Sequence, residues 1–291
     1  MEYKKRVGDR KDGRKLRSLD PYNKFALYIM KTRNDANNLF TDSIEVTEID
    51  RYLRKKRIEG FQGIGILHLF TAAYVRVISQ WPGVNRFISG QKIYARNNIE
   101  LVMTVKKSMS VESGETSVKV VLDPMDTTAD VYNKINAEIK KVKDGASETN
   151  TDNVADTLMK IPGLVLKFVV FFLNIVDYFG LLPQSLIDAS PFHGSLIITD
   201  LGSIGLPTLY HHLYNFGNIP MFISLGAKRK VNEIAADGTV VQKKYVDFSL
   251  TLDERICDGF YFSQAYKMMK SFMKNPELLD FPPETAEEDV L

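Results

Sequence analysis

The sequence predicts an α/β fold, a single domain over residues 20–280 in which helical and strand patterns interleave. Three observations carry that expectation. In residues 63–80, Ile66, Leu69, Phe70, Ala73, Tyr74, Val77 and Ile78 recur at helical spacing, as in a buried helix. Residues 99–106 and 116–122 are short and rich in β-branched residues, as strands are. Near the C-terminus an alternating stretch, Tyr245 to Leu252, passes through a polar turn into an amphipathic helix ending near Pro276. A chain of 291 residues, 44% hydrophobic and 25% charged, has ample apolar content for one core.

Residues 1–19 read as a basic flexible arm. Lys4, Lys5, Arg6, Arg10, Lys11, Arg14, Lys15 and Arg17 outnumber Glu2, Asp9 and Asp12, and Gly8 and Gly13 loosen the backbone. A membrane surface or an anionic ligand is the sharper reading of such an arm. Nucleic acid is not expected, because no aromatic-plus-basic motif accompanies it. The opening residues lack an apolar core, so no signal peptide is expected. The single Cys257 excludes an internal disulfide, which fits a reducing compartment and a cytoplasmic location. A net charge of +2 points to no particular partner.

Asp20-Pro21 opens the globular part. A short helix is expected over Tyr22 to Lys31, then a strand over Ser43 to Thr47 and an exposed charged helix over Glu48 to Glu59. The buried helix stops at Trp81-Pro82-Gly83 and carries His68, expected as a packed, hydrogen-bonded side chain. A hairpin-like edge follows at Gln91 to Tyr94, and Pro124 to Asp130 caps a helix over Val131 to Lys143. Further on, Pro220 to Gly226 reads as a buried strand, and Asp237-Gly238 as the turn of a hairpin.

Residues 144–190 hold a polar loop, Asp144 to Asn153, and then the most apolar stretch of the chain, Ile161 to Pro183. Its length approaches the ~20 residues of a membrane span. Lys167, Asn174 and Asp177 interrupt it on one helical face about 80° wide. A charge at the bilayer centre costs about 3 kcal/mol, which argues against a span. The alternatives are a helix buried in the protein or at a subunit contact, and a helix lying in the membrane interface or walling an acyl-chain pocket. Residues 281–291 form an acidic tail expected to stay solvated.

Two segments carry the candidate chemistry. One is Asp253-Glu-Arg-Ile-Cys-Asp-Gly259; the other is Gly194-Ser-Leu-Ile-Ile-Thr-Asp-Leu-Gly-Ser-Ile-Gly205. Together they resemble the active-site signatures of the chloramphenicol acetyltransferase and dihydrolipoyl acyltransferase superfamily. Asp253, Arg255, Asp258 and Gly259 fit the His-x-x-x-Asp-Gly signature, with Glu254 at the position of the catalytic His. Thr199 falls where the family places an oxyanion-donating Ser, and Asp200 replaces an Asn. His211-His212 imitates the signature superficially, but Phe216 stands at the Asp position, so the segment is a decoy as a motif. Proximity of His211 or His212 to Glu254 across a subunit boundary stays open. No phosphate loop, dinucleotide fingerprint, metal-ligand spacing or nucleophile elbow is present in the sequence.

The resemblance implies a mixed β-sheet flanked by helices, a homotrimer with sites between subunits, and no covalently bound cofactor. With no lipoyl segment in this sequence, a coenzyme A thioester is the expected acyl donor, and the acceptor is open. The family mechanism implies Glu254 as base, Thr199 as oxyanion donor, and Asp258 in a structural pair with Arg33 beside Gly259. A carboxylate is a weaker base than an imidazole unless burial raises its pKa by about 2 units. The alternative is therefore an inactive relative acting as a scaffold or binding protein, with peripheral contact at the inner face of the membrane through residues 161–183.

Overall fold

The computed structural model describes residues 4–106, 115–144 and 156–291. The predicted loop at 144–153 lies almost wholly outside them. The main sheet has six strands in the order β2-β9-β8-β7-β5-β6. These are β2 (Asn37–Glu45), β5 (Ile99–Lys106), β6 (Glu115–Leu122), β7 (Leu196–Asp200), β8 (Met221–Ile234) and β9 (Val240–Asp253). The sheet is mixed: β7 runs parallel to β5 and β8, and the remaining pairs are antiparallel. A second sheet joins β1 (Gly13–Lys15), β4 (Lys92–Arg96) and β3 (Arg86–Ser89).

Period-two alternation gives the main sheet two unlike faces. Leu101, Val120, Ile198, Ile223 and Leu250 point to the core, beneath α3 (Ile66–Gln80), α4 (Thr128–Lys143) and α7 (Gly259–Lys274). The predicted helix over 63–80 is therefore central: α3 is buried from His68 to Ser79. On the opposite face Thr41, Ser249, Ser224 and Thr199 lie opposite one another across four strands. Beside that hydroxyl row, Val102, Ile197 and Phe222 pack against Leu213 and Ile219 of the segment crossing this face.

The edge strand β2 starts earlier than its sequence suggests. It pairs only with β9, so its polar residues face solvent and its alternation is weak. The β8–β9 hairpin turns at Asp237-Gly238 as expected, with Gly238 at φ +84 and its N–H donating to the Ala235 carbonyl. The helix at 47–58, α2 (Thr47–Ile58), and α1 (Pro21–Ile29) also form where expected.

Both terminal segments depart from expectation. Residues 4–19 are not a loose arm: β1 pairs with β4, and Arg10, Asp12 and Leu16 are buried. Gly13 serves close packing, since a Cβ there would come within 2.5 Å of the Phe87 ring. The acidic tail docks instead of staying solvated. Glu287 N–H donates to the Ser79 carbonyl at 2.7 Å, and Ser18 N–H donates to the Leu291 oxygen at 2.8 Å. The Arg86 guanidinium grips both oxygens of Asp289, with Nε–Oδ2 at 2.7 Å and Nη2–Oδ1 at 2.5 Å. Composition reveals the charges of both segments but not the opposite charges far away in sequence that bury them.

The apolar stretch forms α5 (Gly163–Tyr178), followed by α6 (Gln184–Ala189). Of the alternatives, burial within this chain is ruled out: Asp177 is the one buried residue of α5. Among the described residues no helix is long and apolar enough to cross a membrane.

Candidate active site

Three carboxylates lie in the turn between β9 and α7, and two are committed to the fold. Asp253 is fully buried and takes a two-pronged contact from Arg255, with Nε–Oδ1 at 2.7 Å and Nη2–Oδ2 at 2.6 Å. Arg255 Nη1 also donates to the Met30 carbonyl at 2.8 Å, tying the turn to the end of α1. Asp258 caps α7, accepting from Tyr261 N–H at 2.9 Å. Glu254 differs. Its N–H donates to the Ala36 carbonyl at 2.9 Å, but its carboxylate is exposed and has no hydrogen bond or ion pair among the described residues. It lines a cavity of about 470 Å³ with Tyr22, Met30, Leu39, Asp258 and Phe262.

The turn is clamped from outside. Arg86, held by Asp289 of the C-terminal tail, donates from Nη1 to the Ile256 carbonyl at 3.2 Å. Burial pushes the neighbouring Cys257 thiol up to about 12, so it packs as a small inert side chain, in line with the sequence reading.

The expected Arg33–Asp258 pair does not form. Arg33 is buried and donates to the carbonyls of Ile88 (2.8 Å), Asn215 (3.1 Å) and Tyr214 (3.3 Å). Burial lowers its pKa to about 10, and Asp253 is the first carboxylate to oppose that shift. Gly259 has no steric duty: a Cβ there would meet nothing within 4 Å.

Thr199 ends the hydroxyl row on the opposite face. Thr208 Oγ1 donates toward the Ser224 carbonyl (2.8 Å) and contacts Ser249 Oγ (2.9 Å), and Ser224 Oγ accepts from Leu209 N–H at 3.3 Å. The half-buried Thr199 hydroxyl has no partner among the described residues. Asp200 folds back to accept from Ser203 N–H at 3.1 Å; burial raises its pKa, and the N–H groups of Ser203 and Gly202 partly offset that. A Cβ at Gly202 would come within 2.6 Å of the Gly226 carbonyl, so this turn needs glycine.

His211 lies on the same face, stacked on Phe222 at 4.3 Å with 11° between the rings. Its Nε2 is buried without a partner among the described residues, and burial, then His212, lowers its pKa. His212 is exposed, with its ring edge against Tyr214. The ring stack on Phe222 was not legible, because the two residues meet only through a long crossing segment.

Within one chain, Thr199 and Glu254 do not meet. Thr199 lies opposite Ser224, Ser224 lies opposite Ser249, and Glu254 is five residues past Ser249. Two strand spacings and five residues put them roughly 20 Å apart.

No family model matches the sequence, and no curated protein matches it either. Solved structures match its fold. A probable dihydrolipoamide acetyltransferase from Listeria monocytogenes aligns over 90% of this chain and 95% of its own, with TM-score 0.57 and 14% identity. The dihydrolipoamide acetyltransferase of Azotobacter vinelandii, studied for the role of a serine, a histidine and an asparagine in its mechanism, aligns over 95% and 94%, with TM-score 0.56 and 12% identity. A chloramphenicol acetyltransferase aligns over 89% and 99%, with TM-score 0.51 and 12% identity. The chain has the chloramphenicol-acetyltransferase-like fold. On this fold Glu254 directly follows β9, and Thr199 is the penultimate residue of the short strand β7, two places away in the mixed sheet.

Proposed function

We propose that the protein is an acyltransferase that moves an acyl group from a coenzyme A thioester to a nucleophilic acceptor, at a site shared by two copies of the chain. The observation that carries this reading is the unused Glu254 carboxylate. Its neighbours Asp253 and Asp258 are consumed by an ion pair and a helix cap, while Glu254, on the wall of the same open cavity as Asp258, has no such duty among the described residues.

Thr199 supplies the second half. A hydroxyl near a strand end, with no partner among the described residues, is placed to donate to an oxyanion at a site shared with another chain. The separation within one protomer makes a second copy necessary, and a homotrimer, as the family resemblance implies, supplies one facing pair per boundary. The cover provided by that copy would also desolvate Glu254, which strengthens a carboxylate as a base.

In the reaction the acceptor heteroatom attacks the thioester carbonyl while Glu254 takes its proton. The carbonyl oxygen becomes an oxyanion and receives a hydrogen bond from the Thr199 hydroxyl. Collapse breaks the carbon–sulfur bond, and the leaving thiolate recovers the proton from Glu254.

The test is thiol release from acetyl-, butyryl- and longer acyl-CoA thioesters with alcohol, amine and thiol acceptors. Glu254→Gln is expected to lose about 10²- to 10⁴-fold in kcat with little change in KM. Absence of turnover with every donor would favour a scaffold role over catalysis, and undiminished turnover in Glu254→Gln would remove Glu254 as the base.

A further inference from the structure

Helix α5 inverts the usual amphipathic arrangement. Its acid points inward, and its large apolar side chains point out. Leu164, Phe168, Phe171, Phe172, Ile175 and Phe179 are all exposed, Phe168 to 73%. At 100° per residue these six fall on one arc about 100° wide, and Asp177 points the opposite way. Lys167 and Asn174 lie on the flank of the arc.

The roll of the helix is fixed rather than adjustable. The Asp177 carboxylate accepts from Arg10 Nη2 at 2.6 Å and lies 3.5 Å from His193 Nε2. Arg10 Nη1 donates to the Asp177 carbonyl, and the Tyr178 hydroxyl donates to Gln91 Oε1 at 2.6 Å. These contacts hold the C-terminal end of α5 against the β3–β4 hairpin and the N-terminal segment, and they turn the phenylalanine-rich arc toward solvent.

Positive charge surrounds the arc. Lys160 and Lys167 flank its N-terminal half, and the exposed Lys11 follows Arg10 at the other end. Among the described residues nearby, Asp12 and Asp177 are buried, and Asp9 accepts from Arg6 N–H and Lys15 N–H. Asp156 and Asp188 remain exposed.

We propose that α5 is a docking helix for the surface of an anionic phospholipid bilayer. It would lie in the plane of the interface with its phenylalanines among the acyl chains and the flanking lysines at the phosphates. The 16-residue helix is about 24 Å long, shorter than the ~30 Å core of a bilayer, and its C-terminal end is tied to the protein through Asp177, so it lies on a bilayer rather than crossing it. The arc offers no hydrogen-bonding side chain for a protein partner. A second copy placed face to face would bring two cationic rims together. This inference is independent of the acyl-transfer reading.

Flotation of the full chain with vesicles tests it. Binding is expected to phosphatidylglycerol-containing vesicles at low salt, about tenfold weaker to pure phosphatidylcholine, and weaker again as salt rises. The double variant Phe168→Ser/Phe172→Ser, with a far-UV spectrum and melt like wild type, is expected to lose at least tenfold in bound fraction. Phe171→Trp is expected to shift its emission to shorter wavelength with anionic vesicles, read against Trp81 in the wild type. Failure to float with any vesicle, or flotation undiminished in the double variant, would overturn the proposal. So would a vesicle-independent change in sedimentation of the double variant with lipid binding intact, which would assign the arc to a second copy.

Discussion

His68 sits in the first turn of α3, with Nδ1 accepting from Gly65 N–H at 3.2 Å and its ring against Tyr132. Burial lowers its pKa to about 4. Because the unfolded chain binds this proton from about pH 6.5 downward and the folded one does not, stability falls as pH drops from 6.5 to 4. His68→Gln is expected to flatten that part of a plot of unfolding free energy against pH; an unchanged slope would contradict the assignment. Asp177 works in the next window. Burial pushes its carboxyl up, but His193 and Arg10 outweigh burial and hold it at about 2. Its contribution, about 2 kcal/mol, is present above pH 4 and lost as pH falls toward 2. At this scale the packed His68 was legible because it sits in a local pattern, and Thr199 and Glu254 are candidates from their motifs. The sequence did not reveal the partners of Arg33, since the three carbonyls that hold that guanidinium come from two distant segments.

At the scale of elements, glycine positions separate structural need from motif likeness. Gly202→Ala is expected to destabilise by about 1–3 kcal/mol, because its Cβ would strike the Gly226 carbonyl. Gly259→Ala is expected to be neutral or slightly stabilising, since it opens a helix with space around it. Thermal melts of the two variants read both outcomes. The docked tail makes a larger prediction. Asp289→Ala would leave Arg86 buried and unpaired, a loss of about 3–5 kcal/mol. If the tail were solvated, that variant would melt like wild type. Strands β5 and β6 were legible because both present β-branched residues to the core. Strand β2 was blurred by its exposed edge. The inverted polarity of α5 was hidden because Arg10, the partner that draws Asp177 inward, is 167 residues away.

For the whole molecule, one sheet carries both halves of the candidate site at positions that cannot touch within a chain. The order of elements and the two motifs pointed to this fold, and solved acetyltransferases share it. How the halves would combine was not written in local pattern, because in the proposed reading it depends on a surface covered by a second copy. Mixing two inactive variants tests this most directly. Thr199→Val and Glu254→Gln, each silent alone in acyl-CoA turnover, are unfolded together and refolded as mixed oligomers. If each site draws Thr199 from one chain and Glu254 from the next, random assembly restores intact sites and roughly a quarter of wild-type turnover. A mixture as silent as its parents would contradict a site shared between chains.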